Sequence, residues 1–256
     1  MVYIGLTRYT NKDLELLYDL RPDGVVLGDL FCNKRMFPYG GTELVETMCS
    51  FKEKGIDVIY QTPMYATDRI FSSIAQAVEY YYQRKMINTV IVQDIGMASY
   101  LSKTCKDLVI IWGRMGYART PNVNLNTIDF YIKNGVNCFE CKNLEQVNYI
   151  EKIGALAYMM VGYPKYLTVN RECYYKFEHN IFSNDCKCGC LNKEKIMIPS
   201  SKEINSTLDG YVLGWENIYT TEAIEHARKC DNSIIYAESF SEAVDKLDII
   251  RLKMNI

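Results

Sequence analysis

Short apolar runs alternate with longer amphipathic stretches along nearly the whole chain, and this rhythm limits what it can fold into. Residues 2–6, 24–27, 57–61, 89–93, 108–112, 136–139, 155–161 and 248–252 read as strands. Most are rich in Val and Ile without polar alternation, as strands buried on both faces are. Helix-like stretches lie between them. Residues 11–20 open on Asn11 and residues 42–54 on Thr42, both good caps. Residues 68–85 form the longest stretch, followed by 97–105, 126–133, 143–153, 221–230 and 241–246. Repeated strand–helix units imply parallel strands joined by right-handed crossovers. About eight units in 256 residues favour a closed α/β barrel, a (β/α)8 TIM-barrel-like single domain over residues 1–256. The rhythm breaks at residues 162–215. There a loop-like, cysteine-rich insertion follows the seventh strand, with two short runs at 195–199 and 210–213 that suggest a small antiparallel element.

Bulk properties exclude several classes. With 29 basic and 31 acidic residues the net charge is -2, so charge gives no indication of nucleic acid or of an anionic membrane. The N-terminal residues lack the charged start and long apolar stretch of a signal peptide. No run approaches the roughly 18 apolar residues of a membrane span. The expectation is a cytoplasmic protein with no membrane partner, whose ten cysteines stay reduced.

Four of those cysteines, Cys173, Cys186, Cys188 and Cys190, crowd one stretch with few aliphatic side chains. Such a segment cannot order itself by packing, and clustered thiolates are soft ligands for zinc or an iron–sulfur cluster. Cys32 lies just beyond the second strand and the cysteine-rich stretch beyond the seventh. In a parallel barrel both emerge at the C-terminal rim, so Cys32 can meet three of the four. The spacing leaves open which three. It also leaves open a structural zinc site, although paired Cys-x2-Cys knuckles are missing. Cys49, Cys105, Cys138, Cys141 and Cys230 read as ordinary thiols.

The pattern Cys-x12-Cys-x3-Cys at Cys173, Cys186 and Cys190, after an apolar-Gly-Tyr-Pro segment, resembles the collagenase-like U32 peptidase family. The resemblance is closest to its small iron–sulfur branch, accessory proteins of oxygen-independent ubiquinone biosynthesis. The stretch from Gly28 to Arg35 is similar to that family's Gly-Glu-x-x-Cys-x-x-Arg element. The segment from Val90 to Gly96 is similar to its strand-Asp-x-Gly turn, and residues 247–252 to its last barrel strand, which carries an Arg. The resemblance implies a 4Fe–4S cluster on Cys32, Cys173, Cys186 and Cys190. It also implies oxygen-independent hydroxylation of a small molecule or an RNA base with a prephenate-type donor, in a complex with a heteromeric U32-type partner. The family's older label is peptidase, and a cluster-stabilised scaffold without catalysis is a third reading. Departures are Cys188, extra between two ligands, and Cys141, which stands where an acidic residue is usual, with Glu140 beside it.

A small anionic substrate such as prephenate needs cationic and polar groups at the rim. Arg35, Arg114 and Arg251 occupy strand-end positions in this reading, and a guanidinium fork suits carboxylates. Asp94 and Asn124 follow the fourth and fifth strands. Either could orient substrate, and helix capping is the plain alternative for both. No catalytic residue is assigned. The two histidines, His179 and His226, have no visible nucleophile partner, and there is no Gly-x-Ser-x-Gly, His-Glu-x-x-His or dinucleotide-binding glycine motif.

Overall fold

A computed structural model describes residues 1–6, 11–28, 40–63, 68–113, 125–169, 195–197, 205–209, 212–237 and 239–252. Six strand–helix steps and a seventh strand open the chain: β1 (Val2–Leu6), α1 (Asn11–Leu20), β2 (Gly24–Gly28), α2 (Gly40–Glu53), β3 (Asp57–Gln61), α3 (Asp68–Gln83), β4 (Thr89–Val92), α4 (Ile95–Thr104), β5 (Val109–Trp112), α5 (Leu125–Lys133), β6 (Cys138–Cys141), α6 (Leu144–Lys152) and β7 (Leu156–Val161). Four strands then leave the rhythm: β8 (Tyr163–Val169), β9 (Lys195–Met197), β10 (Asn205–Asp209) and β11 (Val212–Ile218). It resumes with α7 (Thr221–Ala227), β12 (Ser233–Ala237) and α8 (Phe240–Leu252).

The eight parallel strands close in the order β1-β12-β7-β6-β5-β4-β3-β2, a (β/α)8 barrel. Alternation along each strand divides the core in two. One set, including Ile4, Val25, Val58, Val90, Ile110 and Phe139, faces the helices. The other, including Tyr3, Val26, Ile59, Ile91, Ile111, Cys138, Tyr158 and Ile234, fills the barrel. Helix starts are fixed by side-chain caps: Asp94 accepts from the Met97 N–H at 2.9 Å, Asn143 from Gln146 at 2.9 Å and Thr220 from Ala223 at 3.0 Å.

The excursion after β7 is a four-stranded antiparallel sheet in the order β8-β11-β10-β9. It begins one residue beyond the barrel, at Gly162. This residue has φ +79°, and a Cβ there would lie 2.3 Å from the Tyr219 ring and 2.5 Å from the Tyr236 carbonyl. Only glycine suits such a turn. Tyr219, just past β11, donates its hydroxyl to that same carbonyl at 2.7 Å, so the sheet's base is tied to β12.

One strand expectation is corrected. Residues 248–252 are the end of α8, and the eighth barrel strand is β12. Ala243, Leu247 and Ile250 are fully buried while Ile249 is 40% exposed, which is the spacing of a helix face. Among the described residues no helix is long and apolar enough to cross a membrane.

Candidate functional site

In a (β/α)8 barrel the side chains at one height come from alternate strands. The observed registers therefore stack the interior in layers. Tyr3, Ile59, Ile111 and Tyr158 form one, with the two tyrosine rings 5.8 Å apart. Above them come Val26, Ile91, Glu140 and Ile234. The next layer holds Gly5, Gln61, Gly113 and Met160. The last, at the C-terminal mouth, holds Gly28, Gln93 and Tyr236, with Lys142 next in the inward alternation just past the end of β6.

The glycines explain how polar groups enter this core. A Cβ on Gly5 would lie 3.0 Å from the Tyr236 ring, and one on Gly113 would lie 1.7 Å from the Gln93 amide nitrogen. Tyr236 and Gln93 thus descend from the mouth into space that two missing side chains leave. Tyr236 descends far enough to donate its hydroxyl to Glu140 Oε1. Glu140 is completely buried among three aliphatic neighbours of its layer. A carboxyl group there is costly unless hydrogen-bonded, and Tyr236 supplies that bond. Gln61 is only 4% exposed, and its amide nitrogen has no hydrogen-bond partner among the described residues. Lys142 is half-buried, and desolvation lowers its pKa below the ordinary lysine value. The barrel's upper end is therefore polar, and below it Glu140 lies among apolar and aromatic side chains.

The residues singled out from sequence fall in three places. Asp94 is at the rim, where its carboxylate caps α4. Arg251 is at the opposite end: it lies in α8 and donates to the carbonyl of Arg21, ahead of β2, at 3.1 Å. Its expected strand-end position is thus corrected along with the strand. Arg35, Arg114, Asn124, Cys32, Cys173, Cys186, Cys188 and Cys190 lie outside the described residues. Their tethers are visible. Cys32 is four residues past Gly28, the end of β2, and Cys173 four past Val169, the end of β8. Four residues span at most about 14 Å. Four thiolates are the donor set that a cubane cluster, or a tetrahedral zinc, requires.

The described cysteines occupy other places. Cys105, Cys138 and Cys141 are buried, and Cys49 and Cys230 partly so. Burial holds the Cys138 thiol up at about 12, which disfavours the thiolate. His226 is not the exposed residue its polar helix suggests. Its side chain is 17% exposed, and Nδ1 accepts from the Leu144 N–H at 3.2 Å, joining α7 to the start of α6.

Glu140, Tyr236, Gln61 and Lys142 were not assigned from the sequence. The signal for Gln61 was present, a polar residue closing an apolar strand. Tyr236 was hidden because β12 was not recognised.

No family model and no curated protein matches the chain. Among solved structures, the U32 peptidase Mk0906 aligns over 92% of this chain and 91% of its own, with TM-score 0.53 and 17% identity. Orotidine 5'-phosphate decarboxylase from Lactobacillus acidophilus aligns over 100% and 99%, with TM-score 0.48 and 12% identity. At these identities the likeness is one of fold.

Proposed function

We propose that this is a U32-type barrel protein that binds a 4Fe–4S cluster through Cys32, Cys173, Cys186 and Cys190. In this proposal it takes part in oxygen-independent hydroxylation of a small molecule or RNA base, with a prephenate-type donor and a heteromeric partner. The observation that carries the reading is the Cys-x12-Cys-x3-Cys spacing on a chain whose barrel aligns over nearly its full length with a U32 peptidase. A cluster held by four thiolates has no open iron, so it would supply electrons or hold the rim segments in shape. The chain's own residues would do the rest. Arg35 and Arg114 would hold donor carboxylates by charge-assisted hydrogen bonds, and the polar mouth would orient the remainder.

Peptide hydrolysis is the second reading, favoured by the name of the structural neighbour. The described residues support it poorly. A cysteine or serine nucleophile needs a histidine or equivalent base, and His226 is engaged between α6 and α7.

Calorimetry on anaerobically purified protein separates the two. The hydroxylation reading expects prephenate to bind, and Arg35→Ala or Arg114→Ala to weaken binding about 10- to 100-fold without loss of iron. Cleavage of a denatured-protein panel with no prephenate binding would establish the second reading instead.

A further inference from the structure

We propose that the barrel mouth is itself a binding site for a small carboxylate, with the Lys142 ammonium and the Gln61 amide as its donors and the Glu140–Tyr236 pair as its floor. The inference deepens the anionic-substrate reading above, and rests on it only for the class of ligand.

Three observations converge. Gln61 ends β3 facing the interior and is buried, yet its amide nitrogen has no partner among the described residues. An orphaned buried donor costs free energy that a ligand oxygen would recover. Lys142 follows Cys138 and Glu140 in the inward alternation of β6 and is half-buried. Its pKa is lowered by desolvation, and among the described residues no carboxylate offsets this. A partly desolvated cation favours an anionic partner. The third observation is the pair of glycines, Gly5 and Gly113, in the Gln61 layer just above Glu140. Their missing side chains are replaced by Tyr236 and Gln93, so a ligand resting on this layer meets polar side chains and not only the aliphatic core.

The class of ligand comes from the anionic-substrate reading, and the Lys142 ammonium favours a negatively charged group. Conversely, a ligand ammonium would meet Lys142 first and be repelled.

The test uses the whole protein as purified anaerobically, with prephenate, pyruvate and malate as probes and inorganic phosphate for comparison. Calorimetry should show binding of at least one carboxylate and weaker or no binding of phosphate. Lys142→Met and Gln61→Leu should each weaken carboxylate binding about 10- to 100-fold, and Lys142→Arg should restore much of it. In parallel, the wild type is treated with an amine-acylating reagent and digested. Mass spectrometry should show Lys142 labelled without ligand and protected with it, a readout that does not depend on any variant folding. Carboxylate binding that is unchanged in both variants, with Lys142 unprotected, would overturn the proposal while leaving the Arg35 and Arg114 reading intact. Binding that persists in Cys32→Ser protein and still depends on Lys142 would uphold the mouth site even if the cluster reading fails. Tighter binding of phosphate than of every carboxylate, or no binding at all, would overturn it outright.

Discussion

Replacing Tyr236 by Phe deletes one oxygen from the barrel and leaves the ring over Gly5 in place. The consequence falls on Glu140. Its carboxyl group is wholly buried among Val26, Ile91 and Ile234 and accepts the Tyr236 hydroxyl. A hydrogen bond to a charged group contributes about 1.5–3 kcal/mol, with the upper end expected where the acceptor is fully buried in low dielectric. The expected loss for Tyr236→Phe is therefore about 3 kcal/mol. In a domain of this size each kcal/mol lowers Tm by roughly 2–4 °C, so Tm should fall by about 6–12 °C. Glu140→Met removes the buried carboxyl and with it the described acceptor of the Tyr236 hydroxyl, at a cost of about 1–3 kcal/mol. The double variant puts apolar groups of similar volume at both positions and should lie within about 1.5 kcal/mol of wild type. Urea denaturation followed by circular dichroism on all four proteins gives the coupling energy, expected to be at least about 2 kcal/mol. Additive single effects, or a Tyr236→Phe loss under about 0.5 kcal/mol, would refute the claim that this bond sustains Glu140 inside the barrel.

Other expectations concern the lower barrel and the cysteines. Burial first, and then Asp57, raise the Tyr3 pKa to about 12, so its stabilising contribution is complete below pH 10 and is lost as pH rises toward 12. Denaturation midpoints should fall above pH 10 by about 1.4 kcal/mol per pH unit from this group, and Tyr3→Phe should flatten the slope. A Cβ on Gly24 would lie 2.4 Å from the Tyr3 ring and 3.0 Å from the Asp57 carbonyl oxygen. Gly24→Ala should therefore cost about 1–3 kcal/mol by over-packing, measured by urea titration. Cys188→Ser should retain iron and Cys32→Ser should lose it; the reverse result would assign the ligands differently.

Barrel closure was legible because buried parallel strands declare themselves as Val- and Ile-rich runs, and seven of the eight were read from the sequence. The eighth was misassigned for a specific reason. Asp248-Ile249-Ile250-Arg251-Leu252 resembles a strand when taken alone, and only the spacing back to Leu247 and Ala243 reveals a helix. That error moved Arg251 from one end of the barrel to the other and concealed Tyr236. Glu140 illustrates a different limit. Its place inside the barrel depends on register, and a one-residue slip would turn it toward the helices. Gln61 and Lys142 stand at strand ends, where a polar residue reads equally well as the start of a loop. The cysteine spacing needed no fold to be noticed, since it is a pattern of the sequence alone.

The central claim is the cluster, and the most direct measurement is iron, zinc and acid-labile sulfide per chain on anaerobically purified wild-type protein, together with its visible absorption. The account predicts a brown protein with about four irons and a matching amount of sulfide, as a cubane held by four thiolates requires. A colourless protein with one zinc and no sulfide would contradict it.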